Sequence, residues 1–139
     1  MKIIEDRLSI ILPTYNERDN LKPLIEKLFT LVEVKYIEII IVDDNSSDGT
    51  YELARKMSKA DPRIRLIRRF GRSGLASAIK DGLLNATSDL AAVMDSDGQH
   101  QPEDLMNALN ALKDNNLDLV VGSRFLKDAQ IKGLSQRRT

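Results

Sequence analysis

Two carboxylates one residue apart, Asp95 and Asp97, close a short apolar run in the segment LAAVMDSDGQHQ, Leu90–Gln101. Ala91, Ala92, Val93 and Met94 read as a strand buried on both faces. The charges mark its end, because a carboxylate is strongly disfavoured in a dry core. What results is a pair of hard oxygen donors at a rigid edge. Such a pair can take part of the coordination sphere of Mg2+ or Mn2+ and leave the rest to substrate phosphate and water. A plainer reading fits the same residues: Asp97-Gly98 as a polar turn, with Pro102 opening a helix. On this segment alone the two readings stand level, and the elements around it have to decide.

Those elements alternate. Leu8–Leu12 is a buried first strand that Pro13 should end, since proline cannot donate to a ladder. Asp19 or Asn20 is the candidate N-cap of a helix from Leu21 to about Val34, where Leu24, Ile25, Leu28, Leu31 and Val32 recur at helical spacing. Ile37–Val42 is a second strand, followed by capping residues Ser46, Ser47 and Asp48 and a helix through Tyr51, Leu53, Ala54 and Met57 that stops before Pro62. Ile64–Ile67 alternates as a third strand near an edge, and Gly74–Ala86 reads as a helix. Pro102–Asn115 is a fourth helix and Leu117–Val121 a fifth strand. The β-α-β order implies a parallel sheet covered by helices on both faces. Ser123–Thr139 is basic and poor in apolar residues, and no sixth strand is expected in it.

In open parallel sheets, ligands bind beyond the carboxyl ends of the strands. Each unusual segment falls at such an end: Pro13-Thr14-Tyr15-Asn16-Glu17, Asp43-Asp44, Arg68-Arg69 with Arg72, Asp95 and Asp97, and Gly122-Ser123-Arg124. Carboxylates for a metal, arginines for phosphate and an aromatic for a base thus converge on one rim. Taken singly, each has a structural explanation. Asp43-Asp44-Asn45 reads as turn and capping chemistry. It also imitates a calcium loop through Asp44, Ser46, Asp48 and Gly49, but Arg55 stands where that loop needs its bidentate carboxylate, so the frame fails. Gly74, Ala78 and Gly82, four apart, imply close helix–sheet packing and leave phosphate approach at that helix N-terminus open. His100, the single histidine, reads as a polar loop residue. Tyr15, between Pro13 and Asn16, belongs on the rim.

Composition narrows the class. The 139 residues suit one domain, and 42% hydrophobic with 30% charged residues describe a globular chain. Lys+Arg and Asp+Glu both number 21, so no basic field attracts nucleic acid or anionic lipid. With no cysteine there is neither a disulfide framework nor a thiolate ligand or nucleophile, which suits a cytoplasmic location. MKIIEDRLSIILP carries acidic residues in its apolar part and does not read as a signal peptide, and no apolar run approaches the roughly 20 residues of a membrane span.

LSIILPTYNE, IIIVDDNSSDGT, GLASAIKDG and MDSDGQHQPED, in this order, resemble the GT-A-fold, family-2 glycosyltransferases, and in particular polyprenyl-phosphate sugar transferases of the dolichol-phosphate mannose synthase type. The resemblance covers roughly residues 7–125. It implies a Rossmann-like nucleotide-diphospho-sugar transferase fold, with residues 1–125 binding the donor and the basic tail 126–139 beginning an acceptor-binding region. It further implies that Pro13, Tyr15, Glu17, Val42 and Asp44 surround base and ribose. Asp95, Ser96 and Asp97 would form the Asp-x-Asp motif, with Gln99 beside it, holding Mg2+ or Mn2+ and the donor diphosphate. Arg124 would face phosphate.

The implied reaction is metal-dependent, inverting transfer of a sugar, mannose from GDP-mannose, to a polyprenyl or dolichyl phosphate. A nucleoside diphosphate leaves readily only when a cation and arginines neutralise its developing charge. A phosphate acceptor is largely ionised near neutral pH and needs positioning more than a general base. Other readings stay open: a UDP-glucose or other UDP-sugar donor with a different acceptor, or a nucleotide-binding module without transfer activity. A phospho-receiver domain shares the alternation, but Ser123-Arg124 stands where it wants a lysine and Pro13–Glu17 is left unexplained. Members of the family continue beyond the Gly-Ser-Arg segment, so the chain is expected to be a piece that transfers sugar poorly by itself. A membrane surface would be met only through a following region or a partner.

Overall fold

The computed structural model describes residues 4–71, 74–97, 101–118, 120–122 and 131–133. Strands β1 (Ile4–Thr14), β2 (Val34–Asp43), β3 (Ile64–Arg68) and β4 (Leu90–Val93) form one parallel sheet in the order β3-β2-β1-β4. Helices α1 (Arg18–Leu31), α2 (Thr50–Ala60) and α3 (Leu75–Asn85) connect them. These elements lie in one unit, Met1–His100. A second unit, Gln101–Thr139, contains α4 (Pro102–Asp114), β5 (Val120–Gly122) and β6 (Ile131–Gly133). The fold is the expected α/β class, a mainly parallel sheet flanked by helices.

The sheet is built from its centre. Leu8, Ile10, Ile11 and Leu12 of β1 and Ile39–Val42 of β2 are all fully buried, as strands covered on both faces must be. Alternation puts Ile11, Ile40 and Val42 on one face, where they form a buried cluster with Ala78 of α3. Gly82 explains how close α3 comes: a Cβ there would stand 2.3 Å from Ile11 Cγ2 and 3.3 Å from Val42 Cγ2. Right-handed crossovers place α1 and α2 on the opposite face, where α1 buries Leu21, Leu24, Ile25 and Leu28 and α2 touches β2 and β3. Gly74 departs from the expected packing stripe. Among the described residues, chain neighbours aside, no atom lies within 4 Å of a Cβ built on it, and its φ of +115° is what calls for glycine.

At the amino side of the sheet, Glu38 ties four segments together. Its Oε2 accepts from Ser9 Oγ (2.5 Å), Thr87 N (2.9 Å) and Thr87 Oγ1 (2.8 Å), and its Oε1 accepts from Arg65 Nη1 (2.9 Å). Burial works against the charge, but these hydrogen bonds outweigh it and bring the carboxyl down from 4.5 to about 2.

Several boundaries differ from expectation. β1 runs through Pro13 to Thr14, and α1 begins at Arg18 with Glu17 at its N-cap rather than Asp19 or Asn20. β4 is not buried on both faces: its residues alternate in exposure and Val93 is 39% exposed. Among the described residues it pairs with β1 alone, so it forms an edge of this sheet. Among the described residues β5 pairs antiparallel with β6, a strand that was not expected. β6 has three residues, too few for a period-two pattern to stand out.

Candidate functional site

The order β3-β2-β1-β4 reverses at β1. The first crossovers carry the chain outward through β2 to β3, and the third returns it to the far side of β1. Loops leaving β1 and β4 therefore diverge, opening a crevice at the carboxyl ends of these two strands. The segments with the richest chemistry, Pro13–Glu17 and Asp95–Asp97, leave those two ends.

Pro13 sits in a central strand without breaking it, and the pairing shows why. Ile11 O accepts from Met94 N on the β4 side, whereas Thr14 O accepts from Asp44 N on the β2 side. By alternation Pro13 faces the β4 side, just past the last paired residue, Val93. No donor is required of it there, and its carbonyl accepts from Ser96 Oγ at 3.0 Å. Ser96 is buried, and its hydroxyl joins the acidic segment directly to the Pro13–Glu17 loop.

The loop after β1 is also locked to the loop after β2. Asn16 N donates to Ser46 Oγ (2.9 Å), Glu17 N to Thr50 Oγ1 (3.0 Å), and Ser47 N to Asn16 Oδ1 (3.0 Å). Asp48 Oδ2 accepts from Arg18 N, and its Oδ1 accepts from the amide and hydroxyl of Thr50. Asn16 and Asn45 take positive φ, 51° and 56°, which asparagine tolerates better than most residues. The turn reading thus holds for Asp43: fully buried, it accepts from Ser46 N (3.1 Å) and Ser46 Oγ (2.5 Å). Its neighbour Asp44 turns the other way.

Asp44 lines a cleft of about 700 Å³ together with Pro13, Tyr15, Asn45 and, from the α3 side, Gly74 and Leu75. Arg69 forms part of its wall. The Arg69 side chain is only 3% exposed, and it donates from Nε to Asp44 Oδ1 (2.5 Å), from Nη1 to Ser77 Oγ (2.5 Å) and Asp81 Oδ2 (3.1 Å), and from Nη2 to Gly74 O (3.1 Å). Its hydrogen bond to Asp44, and then, against burial, its pairing with Asp81, hold the guanidinium above its ordinary value.

The expected site residues are therefore placed as follows. Pro13, Tyr15 and Asp44 line the cleft, and Tyr15 is 60% exposed there. Glu17 does not line the cleft: it holds the N-cap position of α1, and its carboxylate accepts from Asn20 Nδ2 at 2.8 Å. The Val42 side chain is fully buried beneath α3 and contributes packing under the site. Asp95 is half-buried, Asp97 is exposed, and Ser96 between them is tied to Pro13. Gln99, Arg124, Arg72 and His100 lie outside the described residues. Two arginines expected to meet phosphate are engaged elsewhere. Arg69 is buried among carboxylates, and Arg68 stacks on Tyr51 (3.9 Å to the ring centroid) and Phe70 (4.8 Å) while donating to Asn45 Oδ1 (3.1 Å). Sequence reasoning missed Ser77 and Asp81. Their spacing of four puts them on one helix face, but nothing local names Arg69 as their partner.

Among the described residues no group of three acidic or histidine side chains could hold a metal. The pair Asp95 and Asp97 nevertheless suits a hard divalent cation that takes its other ligands from phosphate and water. Among the described residues no helix is long and apolar enough to cross a membrane.

Comparison with known proteins bears directly on this geometry. The profile of Glycosyl transferase family 2 matches residues 9–139. The chain is 39% identical over 126 residues to a dolichol-phosphate mannosyltransferase of Pyrococcus furiosus, covering 91% of this chain and 35% of that protein. It is 35% identical over 136 residues to a polyprenol monophosphomannose synthase of Mycolicibacterium smegmatis, covering 95% and 50%. The chain thus spans a third to a half of the length of these curated relatives. Among solved structures it is similar to a mannosyltransferase from Pyrobaculum calidifontis in complex with GDP-Man and Mn2+, with TM-score 0.70 and 26% identity over 81% of this chain and 34% of that one. Glucosyl-3-phosphoglycerate synthase from Mycobacterium tuberculosis shares the fold, with TM-score 0.62 and 23% identity over 77% of this chain and 39% of that one. With an acidic pair at the switch point of its sheet and a cleft lined by Pro13, Tyr15 and Asp44, the chain belongs to glycosyl transferase family 2.

Proposed function

We propose that this chain forms the donor half of an enzyme that transfers mannose from GDP-mannose to a polyprenyl or dolichyl phosphate, with inversion at the anomeric carbon. The observation that carries the reading is the Ser96–Pro13 hydrogen bond, which puts the acidic pair and the Asp44 cleft on one rim. In this reading Tyr15 and Pro13 receive the base, Asp44 accepts from nucleoside N–H or O–H donors, and Glu17 stands at the cleft edge. Val42 supports them from below. Asp95 and Asp97, with Gln99, hold Mg2+ or Mn2+, and Ser96 fixes the motif. Arg124 is assigned the task of neutralising the diphosphate. A cation bound at the pair supplies positive charge against the leaving diphosphate. The acceptor phosphate oxygen forms the new bond to the anomeric carbon as the bond to the diphosphate breaks, so no covalent enzyme nucleophile is needed. Likeness to GDP-Man-binding and mannosyl-transferring relatives supports the choice of donor.

Calorimetric titration of the chain with GDP and UDP, each with and without Mn2+, tests this. GDP should bind with Mn2+ present, much more weakly without it, and more tightly than UDP. Binding of neither nucleotide would refute the donor reading, and a preference for UDP would replace GDP-mannose with a UDP-sugar.

A further inference from the structure

Arg69 is too deeply placed to meet a diphosphate, yet it makes more polar contacts than any role in the proposed reaction explains. Four of its hydrogen bonds reach three segments: Asp44 after β2 and the Gly74 carbonyl before α3, both at the cleft, and Ser77 and Asp81 in the helix behind it. The Arg69 amide also donates to Asp43 O at 2.8 Å, fixing where the side chain starts. Removing it would leave the part-buried Asp44 and Asp81 without this counter-charge, which is why a local fold role comes first to mind. The geometry adds something more specific. Of the two carboxylates only Asp44 lines the cleft, and the Arg69 Nε donates to its Oδ1 at 2.5 Å.

We propose that Arg69 is a positioning residue for the nucleoside, acting on ligand affinity only through Asp44. A carboxylate only accepts hydrogen bonds, so the ligand group that Asp44 meets is a donor, a ribose hydroxyl or a base N–H. A planar guanidinium can orient that carboxylate while anchoring its other edge in α3, whereas an ammonium at the same depth can do only one of these. The proposal rests on the nucleotide-binding reading above.

The test is a double-mutant cycle on GDP affinity in Mn2+, read by calorimetry, using Arg69→Lys, Asp44→Asn and the double variant. Arg69→Lys keeps the buried charge, so it should fold where Arg69→Ala would not. Each single variant should weaken GDP by about tenfold or more, the usual range for losing a charged hydrogen bond. The double variant should bind no worse than the weaker single, as expected for residues acting as one unit. Glu38→Gln supplies the control: it removes a part-buried ion pair at the other end of the sheet and should lower the melting temperature while leaving GDP affinity within about twofold. Additive losses in the cycle, or an equal loss in Glu38→Gln, would show that Arg69 only holds the fold. Absence of GDP and UDP binding by the wild-type chain would overturn the nucleotide reading itself and this inference with it.

Discussion

Replacing Gly82 by alanine tests the depth at which α3 seats on the sheet, and with it the shape of the cleft above. A Cβ at this position would lie 2.3 Å from Ile11 Cγ2, well inside the roughly 3.5 Å at which carbon atoms rest in contact. Ile11 is fully buried in a central strand with partners on both sides, so it cannot swing away. In an open helix the change would stabilise by about 1 kcal/mol through backbone entropy. Forced overpacking typically costs about 1–3 kcal/mol, and an overlap this large belongs at the upper end. The net expectation is a destabilisation of about 2 kcal/mol and a fall in Tm of roughly 5–10 °C. Urea unfolding at 25 °C should show a lower midpoint at unchanged slope. A second background sharpens the test. Ile11→Ala alone should cost about 2–5 kcal/mol, and Gly82→Ala added to it should be neutral or stabilising, because the new methyl enters the space left by Cγ2. A Gly82→Ala chain as stable as wild type, or equally destabilised in both backgrounds, would refute the close packing of α3 on β1.

Two further outcomes are expected. Because the folded Glu38 carboxyl lies at about 2 against an ordinary 4.5, its contribution is full above pH 4.5 and is lost as pH falls toward 2, and it amounts to at most about 3 kcal/mol. Stability measured from pH 7 to 2.5 should therefore fall less steeply in Glu38→Gln, and matching acid limbs would contradict the assignment. Asp97→Ala, at an exposed position, should change stability by no more than about 0.5 kcal/mol yet remove the Mn2+-dependent part of GDP affinity. Equal Mn2+-dependent binding by wild type and variant would exclude Asp97 from the metal site.

Local sequence was enough for what depends on neighbouring residues. Runs such as LSIIL and IEIIIV specify buried strands, the helical recurrence of Leu21, Leu24, Ile25 and Leu28 specifies α1, and a run ending in Asp95 and Asp97 cannot continue into a core. Alternation of such elements fixes a parallel sheet, and its loops must then gather at one rim. Tertiary structure decided everything that depends on pairing across long separations. Pro13 continues β1 because β4 has ended beside it, a fact set by register with residues 80 positions away. Gly74 and Gly82 look alike in sequence, but one answers a backbone angle and the other the approach of Ile11. Asp43 and Asp44 are adjacent and chemically identical, yet one is consumed by Ser46 and the other lines the cleft, because successive residues of a strand end turn to opposite sides. Arg69 read as a phosphate ligand because an arginine just after a strand is a free cation on paper. Only the folded chain brings Asp44, Ser77 and Asp81 around it, from positions as much as 25 residues away, and changes it from a ligand into a support.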